Sequence, residues 1–148
     1  MVCVRPSWDA VWLTVADVIA ERASCRRPNS KMAVVFVDAD HAVISTGVVG
    51  APRNLPNCLE AGCLIVEGHC RRTVHAEING ILQAGRSART LVGATAYVTA
   101  RPCILCSVAI IQAGVTRVVY SRHYDTEGSH DALLLMYNQA GVVLEHRP

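Results

Sequence analysis

Two short segments of this 148-residue chain contain residues of the kind that hold a catalytic metal ion. The first places His75 two residues before Glu77, and the second places Cys103 and Cys106 directly after Pro102. One imidazole and two thiolates suit Zn²⁺, and three protein ligands leave the fourth tetrahedral position open for water, beside which a free carboxylate can transfer protons. We therefore predict His75, Cys103 and Cys106 as zinc ligands. Glu77 is then the predicted catalytic acid and base.

The hydrophobic periodicity around both segments predicts that each one begins a helix. Apolar residues recur at helical spacing after Glu77, so His75 and Glu77 fall in a first turn. Pro102 stands where a helix accepts proline, and Cys103 and Cys106, three residues apart, share one face. The next turns of this second helix are expected to continue as a buried stripe formed by Ile104, Val108 and Ile111. Two helix N-termini then converge on one zinc ion, where their positive dipole ends favour thiolates.

The composition indicates one globular domain that spans residues 1–148. Hydrophobic residues make up 51% of the chain, and this length is sufficient for a proper core. The net charge of +2 is too small to argue for a nucleic-acid partner, and no apolar run reaches membrane-spanning length. Seven cysteines in this pattern indicate metal binding in a reducing compartment, and no signal peptide is visible, so the expected location is the cytoplasm.

The chain alternates predicted helices and strands. In chain order they are a helix at about 8–24, a strand at 32–37, a strand at 42–48, the helix of His75, a strand at 94–99, the helix of Cys103, a strand at 117–120, a helix at about 131–139 and a strand at 142–144. The first two strands are predicted to form a hairpin, and the later strand–helix–strand alternation implies right-handed parallel crossovers. Residues 50–72 show no strong hydrophobic periodicity and are expected to form a loop. A loop of this length is uncommon in a compact domain and calls for an explanation.

Over nearly the whole chain, these residues resemble the deoxycytidylate (dCMP) deaminases of bacteria and phages, within the cytidine deaminase superfamily. His-x-Glu with Pro-Cys-x-x-Cys is the signature of zinc deaminases. The further segments that carry the resemblance are Pro28–Ser30, Gly50–Pro52, Leu55–Pro56 with Cys58, Gly68–Cys70, Arg72–Glu77, Ile110–Gly114 and Asn138–Val142. The signature alone is shared with cytidine, guanine and tRNA adenosine deaminases, and the cysteine-rich loop and C-terminal elements favour the dCMP branch.

The resemblance implies an α/β fold of the cytidine-deaminase type, a three-layer α/β/α arrangement with a five-stranded mixed sheet flanked by helices, and usually a homo-oligomer. It implies a zinc-dependent hydrolase that deaminates a cytosine-type ring and releases ammonia, most like the conversion of dCMP to dUMP. Zinc would lower the pKa of the attacking water to roughly 7, and Glu77 would move protons to the ring nitrogen and the leaving amine. The expected partner is a small nucleotide or nucleobase, and not a membrane or a nucleic acid, since aromatic residues for base stacking are few.

Some dCMP deaminases also carry a second, structural zinc ion, and the resemblance extends to candidate ligands in this chain. These are Cys58, Cys63 and Cys70, with Cys25 or His69 as a possible fourth. The alternative is that these cysteines are small buried hydrophobic residues and that the histidine lies on the surface. Four candidates in one loop favour metal, so we expect two zinc ions per chain.

The substrate contacts are predicted from the same resemblance, and here the chain departs from the family. The candidates are Val49, Asn54, Ala76, Arg101 and Tyr124. Relatives usually carry an Asn at the position of Val49 that reaches the sugar hydroxyl. Val49 cannot make this contact, although Asn54 or Asn57, a few residues along, could restore it. Deamination of a free amino-substituted nucleobase or base analogue is therefore an alternative function. A non-catalytic zinc-binding module is the alternative of another class, but it would not need Glu77.

Overall fold

The computed structural model describes residues 4–124 and 130–148. Its elements are α1 (Trp8–Ala20), β1 (Ala33–Val37), β2 (Val43–Val48), α2 (Cys58–Ala61), β3 (Ile65–Val66), β4 (His69–Cys70), α3 (Ala76–Arg86), β5 (Thr95–Val98), α4 (Ile104–Gln112), β6 (Arg117–Tyr120), α5 (His130–Ala140) and β7 (Val143–His146). Every helix and strand expected from the sequence is present. The segment 50–72, expected as a loop, additionally contains α2 and the β3–β4 hairpin.

The first helix is shorter than predicted. Ser7 caps it as expected, since its Oγ accepts a hydrogen bond from the Ala10 N–H at 3.2 Å. The helix ends at Ala20 instead of near residue 24. Beyond that point the Ser24 N–H donates to the Val49 carbonyl at 3.4 Å, so the chain is drawn toward the end of β2 and leaves the helical path.

A five-stranded mixed sheet with the order β2-β1-β5-β6-β7 forms the middle layer. β1 pairs with β2 and β5 in antiparallel fashion, whereas β5, β6 and β7 are parallel. Alternate residues of β1 face opposite layers, because Val34 and Phe36 belong to the cluster beneath α3, α4 and α5, while Val35 and Val37 pack against α1. All residues of β1 are buried, as predicted for a strand covered on both faces. The three-layer α/β/α arrangement is confirmed.

The contact between β2 and α3 has no space for a side chain at Gly47. A β-carbon at this position would lie 1.9 Å from the Ala76 carbonyl oxygen and 2.4 Å from the Gly80 nitrogen. Gly80 in turn lies against Phe36, whose ring carbon would be 2.7 Å from a β-carbon there. Two glycines therefore allow the first turn of α3 to approach the sheet backbone closely, and this turn contains Glu77.

The buried face of α4 differs from the prediction. Ile104 and Val108 are exposed and Ile111 is half-buried, whereas the buried residues of the helix are Cys106, Ser107 and Ile110. The reason is that Cys103 and Cys106 face α3, and this requirement sets the rotation of the helix about its axis. The apolar residues one position away are turned toward solvent, and Leu105 is 74% exposed.

An ion-pair network joins α1 to the sheet. The Arg117 guanidinium donates to both carboxylate oxygens of Asp9 at 2.8 Å and, through Nε, to Glu145 at 2.7 Å. The Tyr97 hydroxyl also donates to Asp9 at 2.8 Å. The hydrogen bonds from Arg117 lower the pKa of Asp9 from 3.8 to about 2, against the opposing effect of burial.

Asp9→Asn should cost about 2 kcal/mol of the free energy of unfolding near pH 6. The folded-state pKa of Asp9 is lower than its unfolded value, so its contribution is present above pH 4 and is lost as the pH falls toward 2. The difference in the free energy of unfolding between wild type and Asp9→Asn, measured with urea, should therefore be smaller at pH 3 than at pH 6. A gap that stays constant over this range would contradict the assignment.

Within the described residues, no helix combines the length and apolar character needed to span a bilayer.

Candidate active site

The N-termini of α3 and α4 meet at one end of the sheet, as the sequence predicts. His75 is the N-cap residue of α3 and Cys103 is the N-cap residue of α4, so both side chains project from helix starts. The residue before His75 is held in place because the Val74 N–H donates to the Gly50 carbonyl at 2.8 Å. Cys106 lies one turn into α4, on the same side as Cys103.

The distances among the three predicted ligands fit a tetrahedral zinc site. His75 Nδ1 lies 3.6 Å from the Cys103 Sγ and 3.4 Å from the Cys106 Sγ. With zinc–nitrogen and zinc–sulfur bonds of normal length, a tetrahedral ion places such atoms roughly 3.5 Å apart. The three residues form one of the two metal-ligating groups found among the described residues, and Glu77 does not belong to it.

The surroundings shift the pKa values of the two thiols at this site in opposite directions. Hydrogen bonds from the Cys106 thiol and from His75 lower the pKa of Cys103 to about 4, so Cys103 is a thiolate at neutral pH. The Cys106 N–H also points at the Cys103 sulfur, at 3.5 Å. The hydrogen bond to Cys103 and burial raise the pKa of Cys106, and a coordinated divalent cation is what deprotonates such a thiol.

Glu77 is the buried carboxyl group of the site. Only 4% of its surface is exposed, and this burial raises its pKa above the ordinary value. A carboxyl group with a raised pKa can both accept and donate a proton near neutral pH, which is the requirement for a general acid–base. Its position in the first turn of α3, two residues after His75, places it beside the ligand cluster.

A cavity of about 420 Å³ opens onto these residues. It is lined by Cys25, Arg27, Ser30, Met32, Val49, His69, Cys70, Arg71, Thr73, His75, Ala76, Glu77, Ile78, Arg101, Cys103, Ile104, Leu105, Cys106 and Tyr124. Its size lies within the range of small-molecule sites, and among the described lining residues Glu77 is the only one with a carboxylate. Three arginines also line it.

Four of the five predicted substrate contacts, Val49, Ala76, Arg101 and Tyr124, line this cavity. Asn54 is exposed and is not among the lining residues, so in this structure its side chain lies outside the cavity. The Val49 N–H donates to the Met32 carbonyl at 3.0 Å, so its main-chain donor is already engaged.

Arg101 is fixed at the cavity wall by two contacts. One guanidinium nitrogen lies against the Nδ1 of His130, and the other donates to the Tyr124 carbonyl at 3.3 Å. Its buried Nε has no hydrogen-bond partner within the structure as described. The Arg101 guanidinium is thus held at the cavity wall, and its Nε–H is a hydrogen-bond donor without a partner among the described residues.

Several site residues were not identified from the sequence. Arg27 and Arg71 line the cavity, and only the family-like segment Pro28–Ser30 pointed to the neighbourhood of Arg27. Asn79 was also not identified from the sequence. Its side-chain amide donates to the Val48 carbonyl at 2.8 Å and ties α3 to β2, and its signal was a polar residue on the side of the helix that faces the sheet.

A second metal-ligating group lies beside the same cavity. The thiols of Cys25, Cys58, Cys63 and Cys70 lie within 4.8 Å of one another, and the Cys58 and Cys70 sulfurs are 3.6 Å apart. That distance is too long for a disulfide and close to the roughly 3.8 Å expected between sulfurs on one tetrahedral zinc ion. Of the two candidates for the fourth ligand, the structure places Cys25 in the group, whereas His69 lines the cavity.

Comparison with known proteins identifies a family and several relatives of this chain. Residues 6–122 match the family model described as the cytidine and deoxycytidylate deaminase zinc-binding region. The chain is 36% identical to ComE operon protein 2 of Bacillus subtilis over 141 residues, which is 95% of this chain and 71% of that protein. It is 39% identical to the deoxycytidylate deaminase of Saccharomyces cerevisiae over 127 residues, covering 82% of this chain and only 39% of the yeast enzyme.

The fold is shared with a solved dCMP deaminase. The crystal structure of the enzyme from cyanophage S-TIM5 in complex with dCMP and dUMP superposes with a TM-score of 0.80. The two chains are 24% identical, and the match covers 98% of this chain and all of the phage chain.

Proposed function

This chain belongs to the cytidine and deoxycytidylate deaminase family of zinc-dependent hydrolytic enzymes, and we propose that it deaminates deoxycytidylate to deoxyuridylate. The relatives named as deoxycytidylate deaminases support this substrate. The observation that carries the proposal is the composition of the cavity. Arg27, Arg71 and Arg101 line it together with the zinc-ligand cluster, so a substrate with an anionic group can be bound beside the reacting ring.

Arginine is the side chain best suited to the phosphate of a nucleotide, because its planar fork can donate two hydrogen bonds to phosphate oxygens. The Arg27 guanidinium has no hydrogen bond or ion pair to another residue in the described part of the chain. Among the described residues, the Arg71 guanidinium has only an exposed contact of 3.8 Å with the Glu67 carboxylate. Both guanidinium groups are thus available to a phosphate, and a free nucleobase would not need them.

We assign the proton transfers of the reaction to Glu77. A zinc ion bound by His75, Cys103 and Cys106 would supply a Lewis acid that lowers the pKa of water to about 7. Glu77 accepts the proton of the attacking water and delivers protons to the ring nitrogen next to C4 and then to the leaving amine. One C–O bond forms at C4, and the bond between C4 and the exocyclic amino nitrogen breaks. Ammonia and a uracil ring are the products.

We also propose that the group of Cys25, Cys58, Cys63 and Cys70 binds a second, structural zinc ion. A buried set of four thiolates is a common donor set for such sites. Thiolate ligands require a reducing compartment, which supports a cytoplasmic location.

A homo-oligomer is the proposed assembly. The exposed apolar side chains of α4, which are those of Ile104, Leu105 and Val108, offer a surface for a second copy. Molar mass from light scattering would test this assembly.

Ammonia release from dCMP, CMP, deoxycytidine and cytosine tests the proposed substrate. We expect kcat/KM for dCMP to exceed that for cytosine by about ten- to a hundred-fold, because hydrogen bonds to charged groups contribute roughly 1.5–3 kcal/mol. Equal or greater kcat/KM for cytosine would favour the alternative, deamination of a free base, which the buried Val49 supports.

Val49→Asn examines the departure from the family in the same assay. A buried sugar hydroxyl without a partner costs roughly 1–3 kcal/mol, so restoring the amide should raise the preference for dCMP over cytosine about ten- to a hundred-fold. If the wild type already prefers dCMP strongly and Val49→Asn adds nothing, position 49 has not altered the substrate range.

A further inference from the structure

One wall of the substrate cavity lies outside the sheet and its large helices. Residues 57–73, here called the cysteine module, contain α2, β3 and β4 and contribute Arg71 and Thr73 to the cavity. Residues 25–30, here called the cysteine arm, contribute Arg27. The two segments are far apart in sequence, and the four-cysteine group contains ligands from both of them.

The cysteine module has no apolar core of its own. Its larger apolar side chains are between 45% and 64% exposed, and they are those of Leu59, Leu64, Ile65 and Val66. Each of its strands has two residues. The buried cluster to which it contributes is made of cysteine side chains, Cys25, Cys58 and Cys70, with Cys63 packed against them. So small a unit needs a staple to be stable, and a four-cysteine zinc site supplies folding free energy directly.

Short hydrogen-bonded turns fix each arginine to a cysteine. In the cysteine arm, the Ser30 hydroxyl donates to the Cys25 carbonyl at 3.0 Å and to the Arg27 carbonyl at 2.6 Å. In the cysteine module, the Arg71 N–H donates to a main-chain carbonyl across the hairpin at 2.7 Å, directly after Cys70. The relative position of the two guanidinium groups therefore depends on how Cys25 and Cys70 are joined.

We propose that the four-cysteine metal site is a positioning device for phosphate recognition. A metal ion shared by the cysteine arm and the cysteine module holds Arg27 and Arg71 at one spacing across the cavity mouth. The catalytic ligands stand on α3 and α4, which pack on the sheet, so loss of this ion weakens phosphate binding more than it affects the reacting ring. The inference rests on the proposed function, since these arginines matter only for a substrate with a phosphate.

The test replaces one ligand. Cys63 is half-buried whereas Cys25, Cys58 and Cys70 are buried, so Cys63→Ser disturbs packing least. We expect zinc content, measured by plasma mass spectrometry, to fall from two ions per chain to one. The ratio of kcat/KM for dCMP to kcat/KM for deoxycytidine should fall at least tenfold.

Two further measurements make this test specific. Affinity for dCMP, measured by calorimetry in a Glu77→Ala background, should also weaken at least tenfold, and this readout does not depend on turnover. Leu64→Ser, which changes the exposed neighbour of Cys63, is the matched control and keeps the wild-type zinc content and ratio.

The possible results separate the two proposals. A Cys63→Ser enzyme with one zinc ion, the wild-type ratio and the wild-type affinity for dCMP overturns the positioning role and leaves the proposed substrate intact. A wild-type enzyme that does not distinguish dCMP from deoxycytidine contradicts the proposed substrate itself. A wild type with a single zinc ion overturns the four-cysteine metal site.

If Cys63→Ser does not fold, limited proteolysis of the wild type tests whether the metal ion orders the cysteine module. Trypsin cleavage after Arg71 and Arg72, followed by mass spectrometry, should accelerate at least tenfold when a chelator removes both equivalents of zinc. Unchanged cleavage at these two sites would overturn the inference, because the cysteine module would then be stable without its metal.

Discussion

Glu77→Ala should lower kcat for deamination by at least about 10²–10⁴-fold, the usual loss when a general acid–base is removed. The side chain is buried beside the ligand cluster, and its raised pKa suits a group that repeatedly takes up and releases a proton. Zinc content and the thermal unfolding midpoint should stay close to wild type, because His75, Cys103 and Cys106 are unchanged. Steady-state kinetics of ammonia release and metal analysis on the same preparation measure both quantities.

Glu77→Gln is the matched variant, since it keeps the shape of the side chain but cannot carry the proton. The same loss of kcat in both variants would identify proton transfer as the missing step. Near-normal turnover in Glu77→Ala on the true substrate would contradict the assignment of Glu77. A loss of zinc together with activity would instead mean that Glu77 supports the metal site.

Gly47→Ala should damage both stability and catalysis. The added methyl group would lie 1.9 Å from the Ala76 carbonyl oxygen and 2.4 Å from the Gly80 nitrogen, and these are main-chain atoms that cannot rotate away. Helix α3 must therefore move off β2. We expect a loss of about 3 kcal/mol in the free energy of unfolding, at the upper end for overpacking, and a decrease of kcat by at least about a hundred-fold, as expected for a misplacement of catalytic groups near 1 Å.

Gly85→Ala provides the control on the same helix. Apart from its chain neighbours and the backbone of its own helix, a β-carbon at Gly85 would have no heavy atom of the described structure within 4 Å. This substitution should leave kcat unchanged and stabilise the protein by roughly 0.5–1 kcal/mol, because alanine favours the helix more than glycine does. Urea unfolding and ammonia release would compare the two variants, and similar behaviour of both would show that close packing at Gly47 does not position α3.

The catalytic cluster could be predicted from the sequence because local rules and chemistry agree there. His75 and Cys103 are the N-cap residues of two helices, and these positions bring their side chains into one group that could hold a metal ion. The order of helices and strands followed from hydrophobic periodicity for a similar reason, since β1 is buried on both faces and reads as a continuous apolar run.

The remaining features depend on tertiary contacts that have no local signature. Periodicity predicted that Ile104 and Val108 would be buried, but the rotation of α4 is set by the need of Cys103 and Cys106 to face another helix. Likewise, no sequence pattern links Arg27 to the cavity, because its position depends on a cluster of cysteines from separate segments. The ends of elements also shifted, as in α1, where a main-chain hydrogen bond to β2 ended the helix early.

The pairing of β1 with β5 has a consequence for the order of folding. Val34 pairs with Val98, so the middle of the sheet closes only after the intervening chain, including α3, has been made. Cys103 comes later still, and one imidazole alone is a poor anchor for a metal ion. We therefore expect capture of the catalytic ion to follow the slow, long-range closure of the sheet instead of nucleating it. The catalytic ion would then stabilise a chain that has already folded, whereas the cysteine module would become ordered together with its proposed metal ion.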